Sequence, residues 1–109
     1  MNDRTYTTGE IAKLCDVSTR TVQYYDKEGI VRPSQISEGG RRIYSDEDLQ
    51  RFRSVMLYKN LGFSLKEIKD VLYSENEYKI LSKLLIQQQS KLEKQIRDMT
   101  ELKKKLSIF

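Results

Sequence analysis

The chain has no histidine, no tryptophan, one cysteine and one proline among its 109 residues. Without histidine it lacks the usual metal ligand and the usual general base near neutral pH. A lone cysteine cannot build a disulfide framework or a thiolate-rich metal site within one chain. Neither a nucleophile–base pair nor a phosphate-binding glycine loop is present, so an enzyme is not expected, and no cofactor or metal is expected either. No fully apolar run is longer than Leu84-Leu85-Ile86, far too short to span a bilayer, so no membrane partner is expected. The first ten residues hold no apolar core, which argues against a signal peptide and for a cytoplasmic, reducing compartment.

A third of the residues are charged, 38% are hydrophobic, and the formal net charge is +4. Such a chain buries a modest core and tends to be elongated. Residues 1–75 carry 12 basic and 12 acidic groups, whereas residues 76–109 carry 8 and 4. Bulk charge is therefore weak support for nucleic acid, and the positions of the cations must decide.

Helix starts recur along the chain. A Ser or Thr with an acid three residues on satisfies the unpaired N–H groups of a first turn. Thr7/Glu10, Ser45/Asp48, Ser64/Glu67 and Ser74/Glu77 fit that pattern, Asp48 least well, and Ser18 adds a start without an acid. Each has a possible apolar staple: Tyr6/Ile11, Tyr44/Leu49, Phe63/Ile68, Tyr73/Tyr78 and Val17/Val22. The pattern predicts helices over about residues 8–15, 19–28, 46–61, 65–73 and 75 onward, with Gly29 and Gly62 as stops. Between the second and third, Pro33, Glu38-Gly39-Gly40 and the alternating Arg41-Arg42-Ile43-Tyr44 predict a two-stranded wing from about Val31 to Tyr44.

Two short helices joined by the tight turn Asp16-Val17 form a helix-turn-helix arrangement, whose second helix can enter a major groove. At 100° per residue, Arg20, Gln23, Tyr24 and Lys27 share one face, with Val22 directed toward Ala12 and Leu14. Arg and Gln can pair bidentately with guanine and adenine, and Tyr and Lys can anchor phosphates. A merely solvated face is the plain alternative. The adjacent Tyr24 and Tyr25 count against it, because one helical stripe cannot bury both. Arg41 and Arg42 place two cations at the wing tip, beside glycines that allow close backbone approach.

Several motifs then occur in order: Tyr6-Thr7…Gly9-Glu10-Ile11-Ala12, Val17-Ser18…Arg20-Thr21-Val22-Gln23-Tyr24-Tyr25-Asp26…Gly29-Ile30, Arg32-Pro33, Gly40…Arg42…Tyr44-Ser45…Asp48-Leu49 and Leu61-Gly62-Phe63-Ser64-Leu65…Glu67-Ile68. Over about residues 5–73 this resembles the N-terminal head of MerR-type transcriptional regulators. The resemblance implies a mostly α fold: a winged helix-turn-helix DNA-binding domain over residues 1–74 and a dimerisation helix over 75–109. It implies that Arg20 and Gln23 face bases, that Tyr24, Tyr25, Arg42 and Tyr44 hold phosphates, and that Lys59 reaches backbone. Ser18, Thr19, Lys27 and Arg41 complete the DNA-facing set. Gln23 stands where many members have Arg, and Arg41 where an aromatic is frequent.

The last third carries Leu81, Leu85, Leu92, Ile96, Met99, Leu102 and Leu106, a coiled-coil-like seam interrupted at Gln87-Gln88-Gln89. Thirty residues span about 45 Å, longer than so small a head can cover, which favours pairing with a second copy over folding back. Family resemblance implies that the coil is antiparallel; the stripe alone leaves orientation open. Lys103-Lys104-Lys105 reads as cations meeting the helix dipole, or as a non-specific DNA tail. The implied partners are double-stranded DNA, a second copy of the chain, and RNA polymerase at a promoter whose over-long spacer is kinked and untwisted. The implied setting is bacterial and nucleoid-associated. No residues follow the coil, and no cysteine follows Cys15, so no effector domain or thiolate sensor is expected, and Cys15 reads as a small buried hydrophobe. A chromosome-tethering protein and an excisionase-like architectural factor are the competing readings. A short coil counts against the first and a strong dimer helix against the second.

Overall fold

A computed structural model describes residues 4–108. In chain order these form β1 (Thr5–Tyr6), α1 (Thr8–Leu14), α2 (Thr19–Lys27), β2 (Gln35–Ile36), β3 (Arg42–Ser45), α3 (Asp46–Asn60), α4 (Leu65–Leu72) and α5 (Glu77–Leu106). The chain divides into two compact units, one ending at Lys69 and the other beginning at Asp70.

In the first unit, helix starts are set by local hydrogen bonds. The Thr7 N–H donates to Glu10 Oε1 at 3.0 Å and the Glu10 N–H returns to Thr7 Oγ1 at 3.1 Å. Ser64 and Glu67 repeat the exchange at 2.9 and 3.1 Å. Ser45 and Asp48 form the same box despite the shorter acid. Ser18 caps α2 without an acid, and its hydroxyl shares a 3.0 Å hydrogen bond with that of Thr21.

Helix ends follow one device at three places. After α1, α2 and α3 the chain turns through a left-handed residue: Asp16 (φ 55°), Gly29 (72°) and Gly62 (91°). The next residue's N–H then reaches back to the helix, Val17 to Ala12, Ile30 to Tyr25 and Phe63 to Tyr58, at 2.9, 2.9 and 3.2 Å. Asp16 does so without being glycine, which a short polar side chain tolerates.

The sheet has three strands in the order β1-β3-β2, all antiparallel. The wing is shorter than the sequence suggests. Val31 is not in a strand; it is buried, with its N–H donating to the Tyr25 carbonyl at 3.2 Å. The third strand, β1, went unforeseen, because two residues carry no periodicity and are ordered by pairing with the distant Tyr44 and Ser45. The core gathers Ile11, Val22, Ile30, Tyr44, Phe52 and Val55, with Tyr25 edge-on to Phe52 at 5.5 Å. Leu14 is 47% exposed, so it is not the partner expected for Val22.

The second unit is dominated by α5, 30 residues long and about 45 Å at 1.5 Å per residue. It starts at Asn76, not Ser74. Asn76 Oδ1 accepts from the Lys79 N–H at 3.1 Å, while Ser74 Oγ accepts from the Asn76 N–H at 3.0 Å. The two polar residues compete for one helix start, and the amide wins by reaching the third helical N–H. Tyr73 and Tyr78, the pair expected to staple that start, are 54% and 82% exposed. Lys103, Lys104 and Lys105 occupy the last turn, where cations oppose the dipole. None of the described residues of α5 is buried.

Asp48 offers a test of the first unit. It is 3% exposed, and its Oδ2 accepts from the Ser34 N–H and hydroxyl and from the Ser45 N–H at 3.0, 2.5 and 2.9 Å. Asp48→Ala strands those donors and should cost about 3 kcal/mol in urea denaturation. Asp48→Asn, which keeps an acceptor oxygen, should cost about half as much.

Candidate nucleic-acid interface

The α1–α2 turn holds α2 with one side inward. Val22 and Tyr25 face the core, and the opposite edge is left to solvent. That edge carries Arg20, Gln23, Tyr24 and Lys27, all exposed, with Ser18 and Thr19 exposed at its start. Ser18 is already engaged as the cap, so its hydroxyl is fixed in direction.

The wing meets this helix through one ion pair. Arg42 Nε donates to Asp26 Oδ2 at 2.5 Å, and the Arg42 side chain is still 42% exposed. The pair raises the already high guanidinium pKa further, chiefly through the hydrogen bond. Nε is committed to Asp26, which leaves the terminal nitrogens for an anion. Arg41, one residue nearer the tip, is exposed. The tip itself turns at Ser37–Gly40: the Gly40 N–H donates to the Ser37 carbonyl, and Gly40 has φ 81°. A concave surface of about 340 Å³ is lined by Thr7, Thr8 and Gly9 at the start of α1 and by Gly40, Arg41 and Arg42 of the wing.

Two residues expected on phosphates are drawn into the core: Tyr25 is 5% exposed, and Tyr44 is fully buried, its hydroxyl included. Tyr25 is drawn in by Phe52. Tyr44 lies on the same face of β3 as Arg42 but two residues nearer the root of the wing, where the core covers it. Its hydroxyl is buried, and its pKa is raised, chiefly by burial and then by the charge of Asp26. Tyr24 is the tyrosine on the exposed edge, its ring 5.6 Å from that of Tyr25. Lys59 is exposed in the last turn of α3. Asp26 is the residue the sequence reading missed. Its place in Tyr24-Tyr25-Asp26 was visible, but its pairing with a residue 16 positions away was not.

Cys15 is half-buried. Burial raises its thiol pKa, and Arg53 only partly opposes that, so the site does not favour a reactive thiolate. Among the described residues no cluster of three or more His, Cys, Asp or Glu could hold a metal ion, and no helix is long and apolar enough to cross a membrane.

Residues 6–75 match the MerR HTH family of regulatory proteins, and residues 49–107 match the MerR DNA-binding family. The multidrug-efflux transporter 2 regulator of Bacillus subtilis is 36% identical over 97 residues, covering 89% of this chain and 35% of that protein. The chain thus spans about a third of that regulator's length. The crystal structure of the N-terminus of MtaN, the Bacillus subtilis multidrug transporter activator, superposes with a TM-score of 0.85 at 32% identity, covering 94% of each chain. HiNmlR, a MerR family regulator lacking the sensor domain and crystallised bound to promoter DNA, superposes at 0.64 with 31% identity, covering 95% of this chain and 86% of that one. The fold, the exposed edge of α2 beside an arginine-bearing wing, and these likenesses agree: the chain belongs to the MerR family of helix-turn-helix regulatory proteins.

Proposed function

We propose that the chain is a dimeric, sequence-specific promoter-binding regulator and not an enzyme. Residues 1–74 bind DNA and 75–109 dimerise. In this reading α2 lies in the major groove, with Arg20 and Gln23 toward base edges, and Tyr24, Lys27, Arg41, Arg42 and Lys59 on phosphates. The observation that carries it is the exposed polar edge of α2, joined to the wing by the Asp26–Arg42 pair. That pair restrains the wing arginine beside the reading helix before any DNA arrives, which lowers the entropy lost on binding.

Dimerisation is supported by the apolar stripe of α5. Leu92, Met99 and Leu106 are 46%, 67% and 66% exposed within one chain, more apolar surface than a lone helix normally leaves in water. A two-fold dimer, antiparallel as in the family it resembles, places two copies of α2 about 34 Å apart, one turn of DNA, and so reads a pseudo-palindrome. Bending the intervening spacer costs roughly 1–6 kcal/mol, offset by wing contacts on both half-sites. That distortion, by realigning promoter elements for RNA polymerase, is the proposed route to regulation in the bacterial cytoplasm.

Anisotropy titrations on an operator panel test the groove assignments. Arg20→Ala and Gln23→Ala should each cost about 1–3 kcal/mol and relax preference at one base position. Arg42→Ala should weaken binding to all sequences alike and reduce the salt slope by about one. A change of sequence preference in Arg42→Ala alone would reverse the assignment.

Tyr44→Phe separates core from interface. Removing a buried hydroxyl should leave operator affinity unchanged and move stability by no more than about 1 kcal/mol. A tenfold loss of affinity in Tyr44→Phe would return that hydroxyl to the DNA.

Leu92→Glu with Met99→Glu tests assembly. Sedimentation should show a monomer, and operator binding should fall by about a hundredfold or more as the second half-site loses its tether. A dimer that persists in this variant would place the interface elsewhere.

A further inference from the structure

Taking Leu85 as position a, the a positions of α5 are Tyr78, Leu85, Leu92, Met99 and Leu106, each seven apart. The d positions are Leu81, Gln88, Gln95 and Leu102. In an antiparallel pair each a side chain meets a d side chain of the partner. One alignment places all of these except Tyr78 in layers: Leu81 on the partner's Leu106, Leu85 on the partner's Leu102, Gln88 on the partner's Met99, and Leu92 on the partner's Gln95. Leucines close both ends, and the two glutamine layers lie at the centre. A slide of one heptad carries Leu106 past the start of the partner's helix and puts Tyr78 on the partner's Leu102, or carries Leu81 past the partner's Leu106.

The flanking g positions discriminate more sharply. They are Glu77, Leu84, Lys91, Asp98 and Lys105, and in an antiparallel pair g faces g. In the full alignment Lys91 faces the partner's Asp98, and two-fold symmetry repeats the pair. Slide one heptad one way and Lys91 meets the partner's Lys91, although Glu77 then meets the partner's Lys105. Slide the other way and Asp98 meets the partner's Asp98, with Lys91 on the partner's Lys105. Both neighbouring alignments bring like charges together, and the full alignment brings none. Lys91 is exposed, and the Asp98 side chain is 66% exposed. Asp98 is already bound by Lys94 at 3.1 Å within its own chain, and a carboxylate has acceptor sites for both cations.

We infer that Lys91 and Asp98 are the residues by which this chain recognises a second copy of itself in one antiparallel register. The inference rests on the dimeric reading above and adds partner specificity to it. A relative lacking opposite charges at these two positions pairs less well, so the charges sort self from non-self where several such regulators share a cell.

Charge reversal in the full-length chain tests this, by sedimentation equilibrium at low ionic strength. Lys91→Glu and Asp98→Lys should each weaken self-association about tenfold, because two exposed pairs turn from attraction to repulsion. The double variant should return to within about twofold of the unaltered chain, and mixing the two single variants should give heterodimer well above the statistical half. Added salt should shrink all these differences. A double variant as weak as the singles, or a statistical mixture, overturns the register. So does a loss confined to Asp98→Lys, since in a parallel coil Asp98 faces the partner's Lys103 while Lys91 faces the partner's Ile96. An unaltered chain that stays monomeric at every concentration overturns the dimer itself, and is distinguished by all variants behaving alike.

Discussion

The geometry of the head hangs on one buried carboxylate. Asp48 sits at the start of α3, and its Oδ2 binds Ser34 before β2 and Ser45 at the end of β3. Both roots of the wing are thus tied to one helix N-terminus. Burying a charge is costly unless it is well bonded, and here the Ser34 N–H and hydroxyl and the Ser45 N–H supply the bonds, at a positive helix end. Asp46, two residues earlier, accepts from the Tyr6 hydroxyl at 2.6 Å and fixes β1 on the other side. With its roots held, the wing brings Arg42 to Asp26, and α2 and the wing become one surface. The two aspartates act in series: Asp48 orients the wing, and Asp26 orients the arginine that the wing carries.

What was legible in the sequence follows from range of interaction. Capping boxes at Thr7, Ser45 and Ser64, and the turns at Gly29 and Gly62, are decided within six residues and read directly. The exposed edge of α2 is also local, since helical geometry alone groups Arg20, Gln23, Tyr24 and Lys27. Failures came where distant residues decide. Tyr25 turns inward because Phe52 waits there, and Tyr44 because the wing root lies over the core. Asp26 had no visible role until Arg42 reached it. The start of α5 failed for a different reason: two competent caps, Ser74 and Asn76, lie two residues apart, and local rules do not rank them.

Polar layers in a coil present a similar balance. Gln88 and Gln95 interrupt a seam that leucine would make tighter, and such interruptions commonly trade stability for register. In α5 they occupy consecutive d positions near the middle. In the proposed antiparallel pair the layers they form would fall on either side of the two-fold axis, the leucines at the ends would set how far two chains overlap, and the flanking charges would disfavour neighbouring overlaps.

Net neutrality in residues 1–75 is misleading for the same structural reason that the head is rigid. Five of its acids are consumed internally. Glu10, Asp48 and Glu67 close helix caps, Asp46 holds Tyr6, and Asp26 holds Arg42. Three bases on the α2 edge and the wing are not spent in this way. Arg20, Lys27 and Arg41 are exposed and make no ion pair among the described residues. An acid bonded to backbone N–H groups has its field largely cancelled by the dipoles that bind it, while an exposed guanidinium keeps its field in the direction of approach. Five of the 12 acids that make residues 1–75 neutral on paper therefore serve internal bonds, while Arg20, Lys27 and Arg41 stay exposed on the edge of α2 and the wing. Charge count and charge placement diverge because folding and binding draw on different members of one charged set.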